Sequence, residues 1–373
     1  MMEPRGLDLL ERLEEDPFAW WHGREGTRPA AGSICPCAPP ELLHAAGFAP
    51  LLVPVTASSA PLADAHLPTA CCALARGALE VALRGDLSFL QGMVLHRTCD
   101  AMTFLGDLWP HAVGQGFAVT LNLPRLPEGP HAQAYLQAEL QRAFAALRRV
   151  SGSAEPPAWG ESFALLDRRR ALLADLYRPG RPLSGMLRLR IVRAAHLLPP
   201  DQAVAWLESI QGALAAREDG ALARRPRVLL YGPTMTDLSL ARWIEDAGAW
   251  VAGDDLCNGW RTTQPRMRWT EAEDPFHVLA RWVMEWPGCP AQHRPAQPRA
   301  QRLLRRVEAV GAEGVIFVLA RFCDPYAFDY PALAAALDAR GIPHLLLESE
   351  LTTPAGQVLT RVQAFLETLE VVP

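Results

Sequence analysis

Two Cys-Asp steps carry the strongest chemical signal in this chain. They are His96-Arg97-Thr98-Cys99-Asp100 and Arg321-Phe322-Cys323-Asp324-Pro325, and each follows an apolar run, Phe89 to Leu95 and Gly314 to Leu319. Such runs are expected to be buried strands, which puts both thiols at strand carboxyl ends, where open α/β sheets place their ligands. With Cys72 they make a candidate three-thiolate site. Soft thiolates select iron-sulfur clusters or zinc, and ligands this dispersed are less typical of structural zinc, which favours closely spaced pairs. Taken singly, each thiol fits a buried core position as well as a ligand position, because free cysteine packs as a small hydrophobe.

The remaining cysteines are weaker candidates. Cys35 and Cys37 form a Cys-x-Cys step just before a helix start, where the helix N-terminus favours a thiolate, so the step is either a further ligand or a thiol in a loop near the cleft. Cys71 points away from Cys72 if that segment is regular, and Cys289 lies in a Pro-Gly loop and looks incidental.

The elements that must position these residues alternate. A helix from Leu7 to Glu15 and a Gly/Arg/Pro-rich loop, Gly23 to Ala31, precede Pro39-Pro40-Glu41, which starts a helix that stops at Gly47. A strand at Leu51 to Val55, a helix at Ala73 to Leu83, the strand before Cys99, a helix near Ala101 to Trp109 and a strand at Phe117 to Leu121 follow. From Gln133 to about Gly220 the pattern is helical only, for example Ala132 to Arg149 and Pro200 to Arg217. Alternation resumes with a strand at Arg227 to Gly232, a helix ending at Ala247 and a short strand at Trp250 to Ala252. It continues with a helix near Ala272 to Met284 and the strand before Cys323. A helix near Ala332 to Ala339, a strand at His344 to Leu347 and a helix at Gly356 to Leu369 complete it. The fold class is therefore α/β, two lobes with parallel sheets and a helical segment between them, divided near residues 1–130, 131–225 and 226–373. A ligand shared by both lobes would sit in the cleft.

Composition narrows the chemistry further. All 36 basic residues are arginine, so Schiff-base chemistry, pyridoxal phosphate attachment and a lysine-bearing phosphate loop are excluded within this polypeptide. A formal charge of -5 gives no electrostatic case for nucleic acid or an anionic membrane. With no secretory leader pattern and no apolar run of the ~18 residues that span a bilayer, the expectation is a soluble, cytoplasmic protein with free thiols.

Other motifs have plain readings. Arg168-Arg169-Arg170 is expected on a solvated helical face or a subunit contact. Asp254-Asp255 suits a cation or a satisfied turn equally, and Tyr231-Gly232-Pro233 lacks the glycine spacing of a dinucleotide turn. There is neither a Gly-x-Ser-x-Gly elbow nor a His-Glu-x-x-His helix to support a hydrolase.

An ordered set of segments resembles the subunits of the 2-hydroxyacyl-CoA dehydratase and benzoyl-CoA reductase family, of the 2-hydroxyglutaryl-CoA dehydratase D-component type. The set is Cys35 with Pro39 and Glu41-Leu42-Leu43 before Ala45-Ala46-Gly47, Cys72 with Arg76, and Thr98-Cys99-Asp100. In the second half it is Gly248 to Val251 leading to Asp254-Asp255-Leu256-Cys257, then Phe322-Cys323-Asp324-Pro325, then Gly356-Gln357 before Thr360-Arg361 and Phe365-Leu366-Glu367.

The resemblance implies two Rossmann-like lobes holding a [4Fe-4S] cluster in the cleft between them through Cys72, Cys99 and Cys323, with one iron left open for water or a substrate oxygen. Cys72 is preferred to Cys71 because Arg76 then falls where the family carries a basic residue. The implied activity is loss of water from a 2-hydroxyacyl-CoA through a ketyl radical, after one electron arrives from a separate ATP-hydrolysing iron-sulfur activator. Glu41 is then the candidate for proton handling or for a hydrogen bond to the leaving hydroxyl. The implied partner is a related second subunit in a heterodimer, or a second copy in a homodimer. Three alternatives stand beside this one: benzoyl-CoA reductase-like ring reduction, a small-molecule reductase holding a double-cubane cluster with extra ligation from Cys35 and Cys257, and a non-catalytic partner subunit. Extra thiols at Cys37 and Cys71, and a middle segment that does not align, depart from the family pattern.

Overall fold

The structure is a computed structural model that describes residues 6–22, 28–264, 266–286, 288–351 and 355–370. It contains two four-stranded sheets, parallel throughout, with helices packed on them. The first half runs α1 (Asp8–Glu15), β1 (Ala30–Ser33), α2 (Pro40–Ala45), β2 (Ala49–Leu52), α3 (Pro61–Asp64), α4 (Ala73–Leu83), β3 (Leu90–Arg97), α5 (Asp100–Ala112) and β4 (Phe117–Asn122). Five helices follow: α6 (Ala132–Ser151), α7 (Trp159–Asp175), α8 (Gly185–Leu197), α9 (Pro200–Ser209) and α10 (Gln211–Ala215). The second half runs β5 (Arg227–Gly232), α11 (Ser239–Asp246), β6 (Trp250–Leu256), α12 (Pro275–Glu285), α13 (Ala296–Val310), β7 (Gly314–Ala320), α14 (Asp324–Asp338), β8 (His344–Ser349) and α15 (Ala355–Glu370).

Both sheets have the same strand order. The first is β2-β1-β3-β4 and the second β6-β5-β7-β8, so each reverses its winding direction between its first and third strands. Crossovers by helix keep the strands parallel and both faces covered, which is why β6 and nearly all of β7 are buried along their length. In open sheets of this kind the crevice at the carboxyl ends beside the winding switch is where ligands collect. In this chain those positions are the residues after β1 and β3, and after β5 and β7.

The middle helices knit the halves together. Helix α8 touches β2 of one sheet and β6 of the other, and α6 touches β4 and α12. Arg188 on α8 is buried and spends its guanidinium on three backbone carbonyls, those of Leu176, Leu183 and Val251 at 3.1–3.2 Å. Buried amide carbonyls need donors, and an arginine fork supplies several from one side chain.

Four expectations need correction. Of the expected loop at Gly23 to Ala31, residues 23–27 lie outside the described residues, and Ala30 and Ala31 belong to β1. The helix expected over Pro200 to Arg217 is two, α9 and α10, meeting at Ile210. Helix α14 starts at Asp324 rather than near Ala332, with Pro325 in its first turn, where a missing N–H costs nothing. Arg169 and Arg170 are buried rather than solvated, while Arg168 reaches the surface and pairs with Glu208 at 2.6 Å.

Candidate metal centre

Cys72, Cys99 and Cys323 occupy the same structural position three times over. Each is the N-cap residue of a helix, Cys72 of α4, Cys99 of α5 and Cys323 of α14. An N-cap side chain faces the unpaired amides of the first turn. None of the three makes a capping hydrogen bond, yet the first-turn amides favour the thiolate at each, those of Ala75 and Leu74 at Cys72, Met102 and Ala101 at Cys99, and Tyr326 at Cys323. Three helix N-termini thus aim donors and positive dipole ends at three sulfurs.

The three thiols line a single cleft of about 730 Å³, with Phe104, Phe322 and Phe328 also in its wall. Burial pushes the Cys72 thiol up to about 11 and Cys99 and Cys323 upward too, and each neighbouring sulfur adds to the effect. Protein groups alone therefore leave these thiols protonated at neutral pH. A bound cationic centre would reverse that, because a coordinating thiol is deprotonated by the metal. The donor set, soft sulfurs on rigid helix starts with amides aimed at them, fits an iron-sulfur or other thiophilic centre.

Phe322, just before Cys323, has φ of 63°, a left-handed conformation that non-glycine residues seldom adopt. It turns the chain sharply out of β7 so that Cys323 can cap α14. Cys71 lines the same cleft as Cys72, because the segment before α4 is irregular and alternation does not apply there.

A second group of sulfurs adjoins the first. Cys35 follows β1 and its Sγ lies 3.1 Å from Sγ of Cys37, and His96 of β3 completes a trio whose ligand atoms fall within 4.8 Å of one another. His96 Nε2 donates to the Cys35 carbonyl at 2.8 Å, which leaves the buried Nδ1 without a partner. The hydrogen bond from Cys37 holds the Cys35 thiol well below its ordinary value against burial, and the same bond pushes Cys37 up. Cys257, after β6, has its Sγ 3.0 Å from the Tyr326 hydroxyl and 3.3 Å from Nη1 of Arg261. Cys289 is half-buried, and its thiol is raised by burial and then by Cys257 and Cys35, so it belongs to this neighbourhood.

Glu41 is elsewhere. It is fully buried at the start of α2, with Oε1 2.5 Å and Oε2 3.1 Å from the guanidinium of Arg170, and it does not line the cysteine cleft. Asp254 and Asp255 are occupied by the fold: Asp254 accepts from the amides of Leu256 and Trp260, and Asp255 pairs with Arg261 and Arg302. His96, Arg170, Arg261 and Tyr326 are partners that no local spacing announced, since each meets its contact across at least one intervening element or through a fold-dependent turn.

The fold and site together define a twin-sheet α/β protein with three helix-capping thiols on one cleft. Residues 35–369 match the family described as 2-hydroxyglutaryl-CoA dehydratase, D-component, and the chain belongs to that family. Its relatives include the (R)-phenyllactyl-CoA dehydratase beta subunit of Clostridium sporogenes, 24% identical over 97% of both chains. A benzoyl-CoA reductase subunit of Thauera aromatica is 24% identical over 90% of this chain and 89% of its own. A putative dehydratase subunit, YjiM, of Escherichia coli (strain K12) is 27% identical over 91% of each. Among the described residues no helix is long and apolar enough to cross a membrane.

Proposed function

We propose that this chain is the iron-sulfur subunit of a 2-hydroxyacyl-CoA dehydratase-like enzyme, with a [4Fe-4S] cluster held by Cys72, Cys99 and Cys323. The observation that carries the reading is the convergence of three capping thiols on one cleft at a winding switch of each sheet. When bound, the cluster would supply Lewis acidity at an open iron and a route for a low-potential electron. The chain's own residues do the rest. Helices α4, α5 and α14 fix the sulfurs and set first-turn amides against their charge, while the exposed rings of Phe104, Phe322 and Phe328 give the cleft an apolar rim. No lysine-bearing phosphate loop is present, which agrees with ATP hydrolysis on a separate activator protein. The relatives are themselves named as subunits, of dehydratases and of a reductase, which supports assembly with a second, related subunit, and a homodimer is the other arrangement. The lobes would be divided near residues 1–130, 131–225 and 226–373, in a cytoplasmic protein.

A second reading has its own observation. The trio of Cys35, Cys37 and His96, with Cys257 close by, supplies further sulfur and an unpartnered ring nitrogen beside the first site, as a double-cubane cluster or a second metal would need. Iron and acid-labile sulfide counted on anaerobically purified protein separate the two. About four of each per chain, lost in Cys72→Ala, Cys99→Ala and Cys323→Ala and kept in Cys35→Ala, supports the single cluster. About eight iron, reduced in Cys35→Ala as well, supports the larger one. Iron-free protein that stays folded after reconstitution overturns both.

A further inference from the structure

The buried arginine pair of α7 opens a question that the sulfur chemistry does not answer. Arg169 is 3% exposed, and among the described residues no carboxylate lies within ion-pairing distance of it. Glu41, whose charge acts on Arg169, is committed to Arg170. The Arg169 Nη1 reaches the Ala195 carbonyl only at 3.5 Å, and its Nε has no partner. Burial first, then the charge of Arg170, draws Arg169 down to about 9, which still leaves it protonated at neutral pH. An uncompensated buried cation is among the most costly arrangements a protein can hold.

Arg169 borders a cavity. The space is about 40 Å³ and its wall includes Arg169, Arg170, His196 of α8, Thr262, and Trp282 and Trp286 at the end of α12. One water takes roughly 10–15 Å³ of such volume, so the cavity accommodates a few waters or a single small anion. His196 is buried with its Nε2 unpartnered, and burial and the two arginines keep its ring neutral. A cation without a counter-charge and a free ring nitrogen therefore meet in the wall of an otherwise largely apolar space big enough for a small ion.

We propose that this cavity is a binding site for a small monoanion, a halide or a compact carboxylate such as formate, held by Arg169 and His196. A guanidinium edge suits either, since it offers charge and parallel N–H donors at once. The site is separate from the cysteine cleft, and neither cluster reading depends on it.

The test uses the full chain, purified without oxygen and exchanged into a buffer whose sole anion is gluconate, which is too large for the cavity. Chloride, bromide and formate are then titrated separately at constant ionic strength, with thermal melting and tryptophan emission as readouts. A saturable rise in melting temperature is expected for at least one of them, equivalent to about a 100-fold gain in the folded-to-unfolded ratio at a hundred times Kd. Bromide should also quench emission with a saturable component, because its heavy atom would rest near Trp282 and Trp286. Arg169→Met should abolish both responses and Arg169→Lys retain a weaker form. Response to bromide and chloride alone assigns a halide, and response to formate assigns a carboxylate. Ion chromatography of the denatured, exchanged protein detects an anion that never left. The proposal is overturned if the wild-type chain releases no stoichiometric anion and shows no saturable response, or if Arg169→Met responds as the wild type does. Should Arg169→Met not fold, the wild-type release and quenching measurements still decide.

Discussion

Glu41 shows how far one residue's role depends on what lies opposite it. By sequence it is a carboxylate in a helix's first turn, placed near Cys35 and available for proton transfer; in the fold it is sealed against Arg170, a residue 129 positions away. Arg170 in turn lies over the Trp282 ring at 5.0 Å, and Arg169 stands beside it as a second buried cation. Removing the carboxylate leaves two buried positive charges with no counter-charge. Glu41→Gln should therefore cost about 3–5 kcal/mol, the usual penalty for stranding one member of a buried pair. Chemical denaturation of the variant beside Glu41→Leu/Arg170→Met checks the cause, since the double variant should recover much of the loss. Equal losses in both would mean that packing, rather than charge, is what the pair supplies.

At the scale of elements, the best-read segments are those whose side chains state their period. Helix α4 and strand β5 fall at the expected residues, Ala73–Leu83 and Arg227–Gly232, because Ala/Leu repetition and a Val-Leu-Leu-Tyr run have one sensible structure each. Strand β1 escaped because Ala-Ala-Gly-Ser carries no β-branched or aromatic residue; its place is set by pairing with β2 and β3. Helix α13 escaped because its arginines and Pro298 mask a narrow apolar stripe of Ala300, Leu303 and Val307. Cys99 and Cys323 were legible since a thiol after a strand and before an acidic helix start is a local pattern, and Cys72, which follows no strand, came only through the family resemblance, whereas the meeting of Cys35, Cys37 and His96 depends on β1 and β3 being neighbours. Gly232 is instructive: it ends β5 like a nucleotide-turn glycine, yet a Cβ there would lie 2.4 Å from the Val318 carbonyl oxygen of β7. Its role is to let β5 and β7 approach closely near their carboxyl ends. Gly232→Ala should cost about 1–3 kcal/mol by overpacking. If the proposed cluster is bound, the same variant should also lower its retention, measured as iron per chain after gel filtration; full stability with full iron would show that the strands part without consequence.

Across the whole molecule, the two sheets are held in one piece by the middle helices, and the joints between them are polar groups buried in a fixed protonation state. His44 on α2 is one such joint. Its Nδ1 lies 2.8 Å from the Ser162 hydroxyl of α7, and its Nε2 lies 2.8 Å from Nη1 of Arg28. Since Arg28 can only donate, Nε2 must accept and Nδ1 carries the proton, so the joint requires a neutral ring. Burial, followed by the charge of Arg28, brings His44 down to about 4, and burial together with Arg169 and Arg170 holds His196 well below its ordinary 6.5. Both rings are thus uncharged in the folded chain at pH values where the unfolded chain has them protonated. Below about pH 6.5 the unfolded state binds more protons than the folded state, so stability falls as pH drops toward about 4, and is unaffected by these groups above pH 7.5 or so. Each such histidine adds about 1.4 kcal/mol per pH unit to the slope near pH 5. His44→Gln keeps a donor and an acceptor but cannot take the proton. Denaturation midpoints followed from pH 7 to pH 5 should therefore show the His44→Gln slope smaller than the wild-type slope by about one proton's worth. A slope unchanged by the substitution would mean that His44 is protonated in the folded chain, and that α2 and α7 are joined through a charged ring instead.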